Sequence, residues 1–178
     1  MQLDRLGVWY PLDRLDRWEV CEFLATLKRL GYDVLWYPEA RGYESLSLAG
    51  FLLANSKRLK IGSSIASIYA RDAFTAQRGL ASLTSLYGER FILGLGVSHV
   101  PMVEGMRGHQ YEKPVPAMRG YLDRLTKDQQ GASSLPIVIA ALGPRMLALA
   151  AERARGAIPY NTTPQHTAEA RKALGANK

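Results

Sequence analysis

Phe91-Ile-Leu-Gly-Leu-Gly-Val97 carries no polar side chain and is too short to be a helix of its own. Such a run suits a strand buried on both faces, and strands of that kind belong to parallel sheets covered by helices. The segments upstream agree. Lys60-Ile-Gly-Ser-Ser-Ile-Ala-Ser67 predicts a strand, as do Val34-Leu-Trp-Tyr37, broken by Pro38, and Leu6-Gly-Val-Trp-Tyr10. Between these runs the apolar spacing changes to three and four. Asp16 predicts the cap of a helix striped by Val20, Leu24, Leu27 and Gly31, with Cys21 beside it. Ser45 opens a second helix with Leu46, Leu48, Phe51 and Leu52, ending near Asn55. Asp72 caps a third, striped by Ala73, Ala76, Leu80, Leu83 and Tyr87.

Downstream, residues 98–113 read as a long loop containing glycine. A helix striped by Val115, Met118, Leu122 and Leu125 follows, then the polar linker Lys127–Ser134. Ile137-Val-Ile-Ala-Ala-Leu142 is a strand, and the helix after Gly143-Pro144 is striped by Leu147, Ala150, Ala151 and Ala154. Ala157-Ile-Pro-Tyr160 and a helix from Thr163 or Pro164 to Leu174 form the last unit. Six β/α units imply an α/β fold with a parallel sheet and right-handed crossovers. The first four strands begin roughly every 30 residues, close to the unit of a ~250-residue eightfold barrel. Six units are two short of closure. The sheet is therefore either open and doubly wound, or a (β/α)8 TIM barrel whose C-terminal portion is absent from this chain. We expect the barrel, because an end at Gly175-Ala-Asn-Lys178, just after a helix, fits a cut between units.

The 178 residues suffice for one core, so a single domain over 1–178 is expected. Hydrophobic residues make up 47% and charged residues 22%, an ordinary globular balance. No run approaches the ~20 apolar residues of a membrane span, and Met1–Arg5 does not resemble a signal peptide, so a cytoplasmic protein without a membrane partner is expected. Cys21 is the one cysteine, which excludes an internal disulfide and any cysteine-based zinc site. The net charge is +7. Its basic residues are dispersed along helical segments beside acids, which favours a solvated surface over an anionic small ligand and, further behind, nucleic acid.

Several strand ends carry candidate chemistry. Gly94-Leu-Gly96 invites a dinucleotide reading, but His99 stands where the third glycine belongs and Pro101 prevents an immediate helix. The two glycines instead open one strand face, either to a planar ligand or to close packing of another element. Gly143-Pro144 starts a helix whose free N–H groups can hold a phosphate; a plain helix start is the alternative. His99, just beyond a strand, stands where barrel enzymes place acid/base groups, and as a loop residue it would need no role. Glu39 is a carboxylate at a strand end. Ser63–Ser67 reads first as turn formers. His109 and His166 read as surface residues. No metal-ligand spacing, G-x-S-x-G elbow or P-loop occurs.

Leu35-Trp-Tyr-Pro-Glu-Ala40, Ile61-Gly-Ser-Ser-Ile-Ala-Ser67, Glu89-Arg-Phe-Ile-Leu-Gly-Leu-Gly-Val-Ser-His99, Tyr111-Glu-Lys-Pro-Val-Pro-Ala-Met-Arg119 and Ala140-Ala-Leu-Gly-Pro-Arg-Met146, in this order, resemble the bacterial luciferase-like flavin and deazaflavin oxidoreductases. The resemblance is strongest to the actinobacterial branch assigned to coenzyme F-420. It implies an eight-stranded barrel whose C-terminal mouth holds a flavin-like ring. It also implies a non-proline cis peptide at Ser64-Ile65 backing that ring. Ring and tail contacts map to Glu39, Val97 and Ser98, and the phosphate site maps to Leu142 and Gly143 with Tyr160 and Asn161. Ala40 departs from several relatives, which place a His there, and His99 stands where one relative type has a carboxylate.

The implied activity is hydride transfer between the deazaflavin coenzyme F-420 and a small organic substrate. His99 would be the acid/base residue and the 98–113 loop part of a lid. The alternatives are an FMN-dependent luciferase-like monooxygenase, and a cofactor-free barrel fragment acting as a structural or binding protein. An unclosed barrel has two strand edges to cover, so a homo-oligomer is expected.

Overall fold

The computed structural model describes residues 6–127 and 135–175. Met1–Arg5, most of the linker read at Lys127–Ser134, and the final residues beyond Gly175 lie outside the described residues. The elements run β1 (Gly7–Trp9), α1 (Arg17–Arg29), β2 (Val34–Tyr37), α2 (Ser45–Ala54), β3 (Lys60–Ser63), β4 (Ala66–Ser67), α3 (Ala73–Tyr87), β5 (Phe91–Gly96), a π-helical segment (Pro101–Met106), α4 (Pro114–Leu125), β6 (Ile137–Ala140), α5 (Pro144–Arg153), β7 (Ala157–Ile158) and α6 (Pro164–Leu174). This is the alternation read from the sequence, with three differences. The strand expected over 60–67 is divided at Ser64-Ile65, whose peptide bond is cis. β7 stops before Pro159, which has no N–H to give to a ladder. The segment 98–113 is not wholly loop: the His99 carbonyl accepts from Met102 and Val103 N–H, each at 3.0 Å, and opens the π-helical segment.

The chain forms two compact units, one comprising residues up to Ala66 with Arg78–Leu93, the other Ser67–Gln77 with Gly94 onward; α3 and β5 contribute to both. In the first unit β1, β2, β3 and the start of β5 are neighbours in that order, all parallel. Trp9 aligns with Trp36, Trp36 with Gly62, and Gly62 with Ile92. Asp16 caps α1 as read, accepting from Trp18 and Glu19 N–H while the Glu19 carboxylate accepts from Asp16 N–H. The stripe it starts, Val20, Leu24 and Leu27, is buried, as are Leu35, Ile61 and Phe91 on the strands. Burial of each large apolar side chain contributes about 1.5–3 kcal/mol.

Arg90 closes this unit at the N-terminal ends of its strands. Its guanidinium donates to the carbonyls of Ser56 (2.9 Å), Leu59 (3.3 Å) and Leu53 (3.0 Å), and its Nε donates to Tyr87 (3.1 Å). Burial lowers its pKa from the ordinary arginine value, opposed by the nearby Tyr87.

In the second unit β6 and β7 are parallel, with Ile139 opposite Ala157 and Ala140 opposite Ile158. Asp72 caps α3 through Thr75, accepting from its N–H at 2.9 Å and its hydroxyl at 2.6 Å. Met118, Leu122 and Leu125 of α4 and Leu147 and Ala150 of α5 are buried as their stripes predict. Arg119 of α4 grips Glu152 of α5 with two parallel bonds, 2.7 and 2.8 Å, and Arg153 pairs with Asp123 at 2.6 Å.

The hydrogen bonds from Arg119 lower the Glu152 pKa below its ordinary 4.5. A depressed carboxyl stabilises the fold above the unfolded-state pKa, and that contribution disappears as pH falls through the lower folded-state value. The pair is exposed, so its effect on stability is small. A carboxyl-detected NMR titration should show Glu152 titrating below its ordinary 4.5, and higher in Arg119→Gln. Equal titration in both proteins would count against the ion pair in solution.

Candidate functional site

In the first unit, three strand tips meet at the cis peptide. Ser64 N–H donates to the Tyr37 carbonyl at 2.6 Å, the Trp9 indole Nε1 donates to the Ser64 carbonyl at 3.3 Å, and Glu39 N–H donates to the Ile65 carbonyl at 3.4 Å. Ser64 is buried and Ile65 half-buried. This brings together Glu39, Ser64 and Ile65, and adds Trp9, to which no local pattern pointed.

The Glu39 side chain turns toward α2. Its Oε1 accepts from Ser45 N–H at 3.2 Å, and Glu44 accepts from Leu46 and Ser47 N–H at 3.1 and 2.7 Å. Two carboxylates thus satisfy the first N–H groups of α2, where the helix dipole favours negative charge. Tyr37, fully buried, donates its hydroxyl to the Ser45 carbonyl at 2.7 Å and completes this junction.

In the second unit, Val97 and Ser98 are half-buried beyond β5, and the His99 side chain is exposed. Ser98 has φ 56°, a left-handed conformation uncommon outside glycine and asparagine. Its carbonyl accepts from the Tyr111 hydroxyl at 3.3 Å. The Tyr111 ring stacks on Tyr69, with centroids 5.9 Å apart, and Tyr111 N–H donates to the Glu104 carboxylate at 3.0 Å. The Tyr69 hydroxyl in turn accepts from Glu112 N–H at 3.0 Å. Burial, aided by Tyr69, raises the Tyr111 pKa above the ordinary tyrosine value. Both ends of the 98–113 segment are therefore braced by aromatic side chains. Tyr111 lay in a stretch carrying the family resemblance, but polarity and spacing alone gave it no role.

Leu142 and Gly143 are exposed between β6 and α5, and Tyr160 and Asn161 are exposed beyond β7. Gly143 is the N-cap of α5 and supplies no side-chain acceptor; a Cβ built on it would meet nothing within 4 Å. Asn161 has φ 52°. His166, read from sequence as a surface residue, is instead half-buried in the first turn of α6, with its Nε2 2.8 Å from the Leu142 carbonyl. Its N–H donates to the hydroxyl of the α6 cap, Thr163, at 3.2 Å. A histidine two residues after a helix-starting proline gives no sequence sign of such a contact. Leu142, Gly143 and His166 thus come together in this unit.

The uncapped start of α5 has the polarity to receive an anion, and the Ser64-Ile65 dipeptide is held by hydrogen bonds from Trp9 and Glu39 and to Tyr37. Each, within its own unit, suits one part of a flavin-like coenzyme: the α5 start a phosphate, the strand-tip dipeptide the face of a planar ring. Among the described residues no group of three or more His, Cys, Asp or Glu could hold a metal ion, and no helix is long and apolar enough to cross a membrane.

The family model described as luciferase-like monooxygenase matches residues 13–177. A Mycobacterium tuberculosis protein named as a candidate coenzyme F-420-dependent oxidoreductase is 28% identical, over 81% of this chain and 51% of its own length. Among solved structures, the coenzyme F-420-dependent tetrahydromethanopterin reductase of Methanopyrus kandleri superposes with a TM-score of 0.79 at 16% identity, covering 97% of this chain and 60% of that one. A monooxygenase from Streptomyces bottropensis gives 0.76 at 10% identity, covering 96% and 64%. The chain spans about half the length of the curated relatives it matches. The structural likenesses establish the fold as that of a luciferase-like TIM barrel, of which the described residues carry six β/α units.

Proposed function

Because the chain belongs to the luciferase-like monooxygenase family, we propose that it serves hydride transfer between coenzyme F-420 and a small organic substrate. The observation that carries this reading is the junction at Ser64-Ile65, where Trp9 of β1 and Tyr37 of β2 bond the dipeptide backbone. It stands at the position where the resemblance puts the backing of a flavin-like ring, and β1 and β2 hold it by hydrogen bonds. Likeness to the mycobacterial and methanogen F-420 proteins favours the deazaflavin over other ring systems.

When bound, the deazaflavin supplies a carbon that gives or accepts a hydride; the protein supplies orientation and exclusion of water. In the first unit the Ser64-Ile65 backbone would support a ring face, and Glu39 N–H fixes the Ile65 carbonyl. In the second unit, taken by itself, Val97 and Ser98 would meet a ring edge, and Leu142, Gly143, Tyr160 and Asn161 would receive a phosphate. His99, exposed beyond β5, holds or moves a proton at its imidazole; groups of this kind contribute typically 10²–10⁴-fold. The 98–113 segment would serve as part of a lid.

A second reading, an FMN-dependent monooxygenase, is favoured by the family description and by the Streptomyces neighbour. Titration of the purified chain with F-420, followed by fluorescence, and with FMN, followed by absorbance, separates the two. We expect saturable F-420 binding and weaker FMN binding; tight FMN binding without F-420 binding transfers the assignment. A stable protein that ignores both supports the structural role instead. Light scattering on the same sample checks the expected homo-oligomer.

A further inference from the structure

The His166 ring poses a problem that its surroundings do not explain. The Leu142 carbonyl can only accept, so the Nε2 facing it at 2.8 Å carries the hydrogen. The other ring nitrogen, Nδ1, is buried and has no hydrogen-bond partner among the described residues. A buried polar atom left unsatisfied is costly, and an aromatic or aliphatic side chain would fill the same space without that cost. What the imidazole offers that those side chains lack is the donor to Leu142. That bond ties the first turn of α6 to the last residue before the α5 cap. Gly143 has no side chain to fix the turn itself, and Leu142 is exposed, so packing does little to hold it. Thr163 fixes the backbone at the other end of the tether through His166 N–H.

We propose that His166 is a positioning residue: by holding the Leu142 carbonyl away from the α5 N-terminus, it aims the free N–H groups of the Leu142-Gly143 turn at the phosphate of the coenzyme tail. Without the tether the carbonyl, which is negative, is free to rotate toward the anion. The proposal rests on the coenzyme reading above. It differs from an anion contact by His166 itself, since the residue acts only through Leu142.

The test compares F-420 with its tail-less deazariboflavin chromophore on the chain carrying His166, His166→Ala and His166→Gln. Gln places an amide donor near the Nε2 position. Loss of one such bond, transmitted to the tail site, should weaken F-420 about fivefold in His166→Ala. The tail-less chromophore should lose less than twofold, and His166→Gln should recover most of the F-420 affinity. The Gly143 amide resonance should move in His166→Ala and return in His166→Gln. Equal losses for the two ligands would overturn the positioning role, as would an unmoved Gly143 resonance. If the unsubstituted chain binds neither ligand, the coenzyme reading fails, and the positioning role fails with it. If it binds both with equal affinity, the tail site alone fails.

Discussion

Arg90→Ala should lower the melting temperature by roughly 6–12 °C, one of the two largest effects expected of a single side chain. Leu53 lies in the last turn of α2, Ser56 and Leu59 lie between α2 and β3, and Tyr87 ends α3. The Leu53 carbonyl already accepts from Ser56 N–H, and one guanidinium donates to it and to the carbonyls of Ser56, Leu59 and Tyr87. Hydrogen bonds to a charged group are worth about 1.5–3 kcal/mol each when lost, but these four are only partly buried, and water would replace part of the loss. A net cost of about 3 kcal/mol follows, and in a chain of this length each kcal/mol shifts the midpoint by ~2–4 °C. Arg90→Lys should retain little of the stability, because a single ammonium cannot reach carbonyls spread around a planar fork. Arg90→Met keeps much of the stem and isolates the hydrogen bonds from packing. Thermal unfolding followed by far-UV circular dichroism measures all three. A drop under 2 °C for both Ala and Met would mean that water serves these carbonyls as well as Arg90 does.

Arg90 also marks how far the fold was legible. The strand that follows it needed no tertiary information: six consecutive residues of β5 are buried, as an unbroken apolar run demands. α1, β2 and α3 were equally readable, because Asp16 and Asp72 cap where apolar stripes begin. Contacts made by side chains across large sequence separations were not readable. The Trp9 bond to Ser64 spans 55 residues, and that of Arg90 to Leu53 spans 37; neither periodicity nor local spacing encodes such a pairing. The site divides in the same way. Glu39 and Gly143 drew attention because strand ends and helix starts have recognisable local chemistry. The cis peptide at Ser64-Ile65 came only through family resemblance, since a run of serine and isoleucine has no local property that marks it. The second bond of Glu39, to Ser45 N–H, gives that residue a capping role which its position after Pro38 did not suggest. The π-helical segment escaped because Pro101 and Gly105 both argue for loop, and its anchor is the His99 carbonyl rather than any side chain.

Gly62→Val should destabilise the chain by about 2 kcal/mol, even though valine is the better strand former. Gly62 lies directly opposite Trp36 in the parallel register, and a Cβ built on it would fall on the Cε3 and Cζ3 atoms of the Trp36 ring. The indole is rigid, so either the whole ring or the strand must move. Overpacking of this kind costs ~1–3 kcal/mol. Opposing it, a β-branched side chain gains up to ~1 kcal/mol from strand propensity and restriction of the unfolded chain. The clash exceeds that gain because a valine adds two methyl groups beyond the Cβ that already collides. The melting temperature should fall by roughly 4–8 °C. The cause can be isolated with a double-mutant cycle. In a Trp36→Leu background, whose side chain can turn aside, Gly62→Val should cost under about 0.5 kcal/mol, a coupling of about 1.5 kcal/mol between the two positions. Independence of the two substitutions would show that Gly62 is required for its backbone and not for the ring above it. The displaced ring should also be felt along the row, because Trp9 aligns with Trp36 and its indole N–H donates to Ser64. A Trp18→Phe background leaves Trp9 and Trp36 as the reporting indoles. There, Gly62→Val should shift the Trp9 indole proton resonance toward that of an unbonded indole, linking the packing of β2 on β3 to the carbonyl that holds the cis dipeptide.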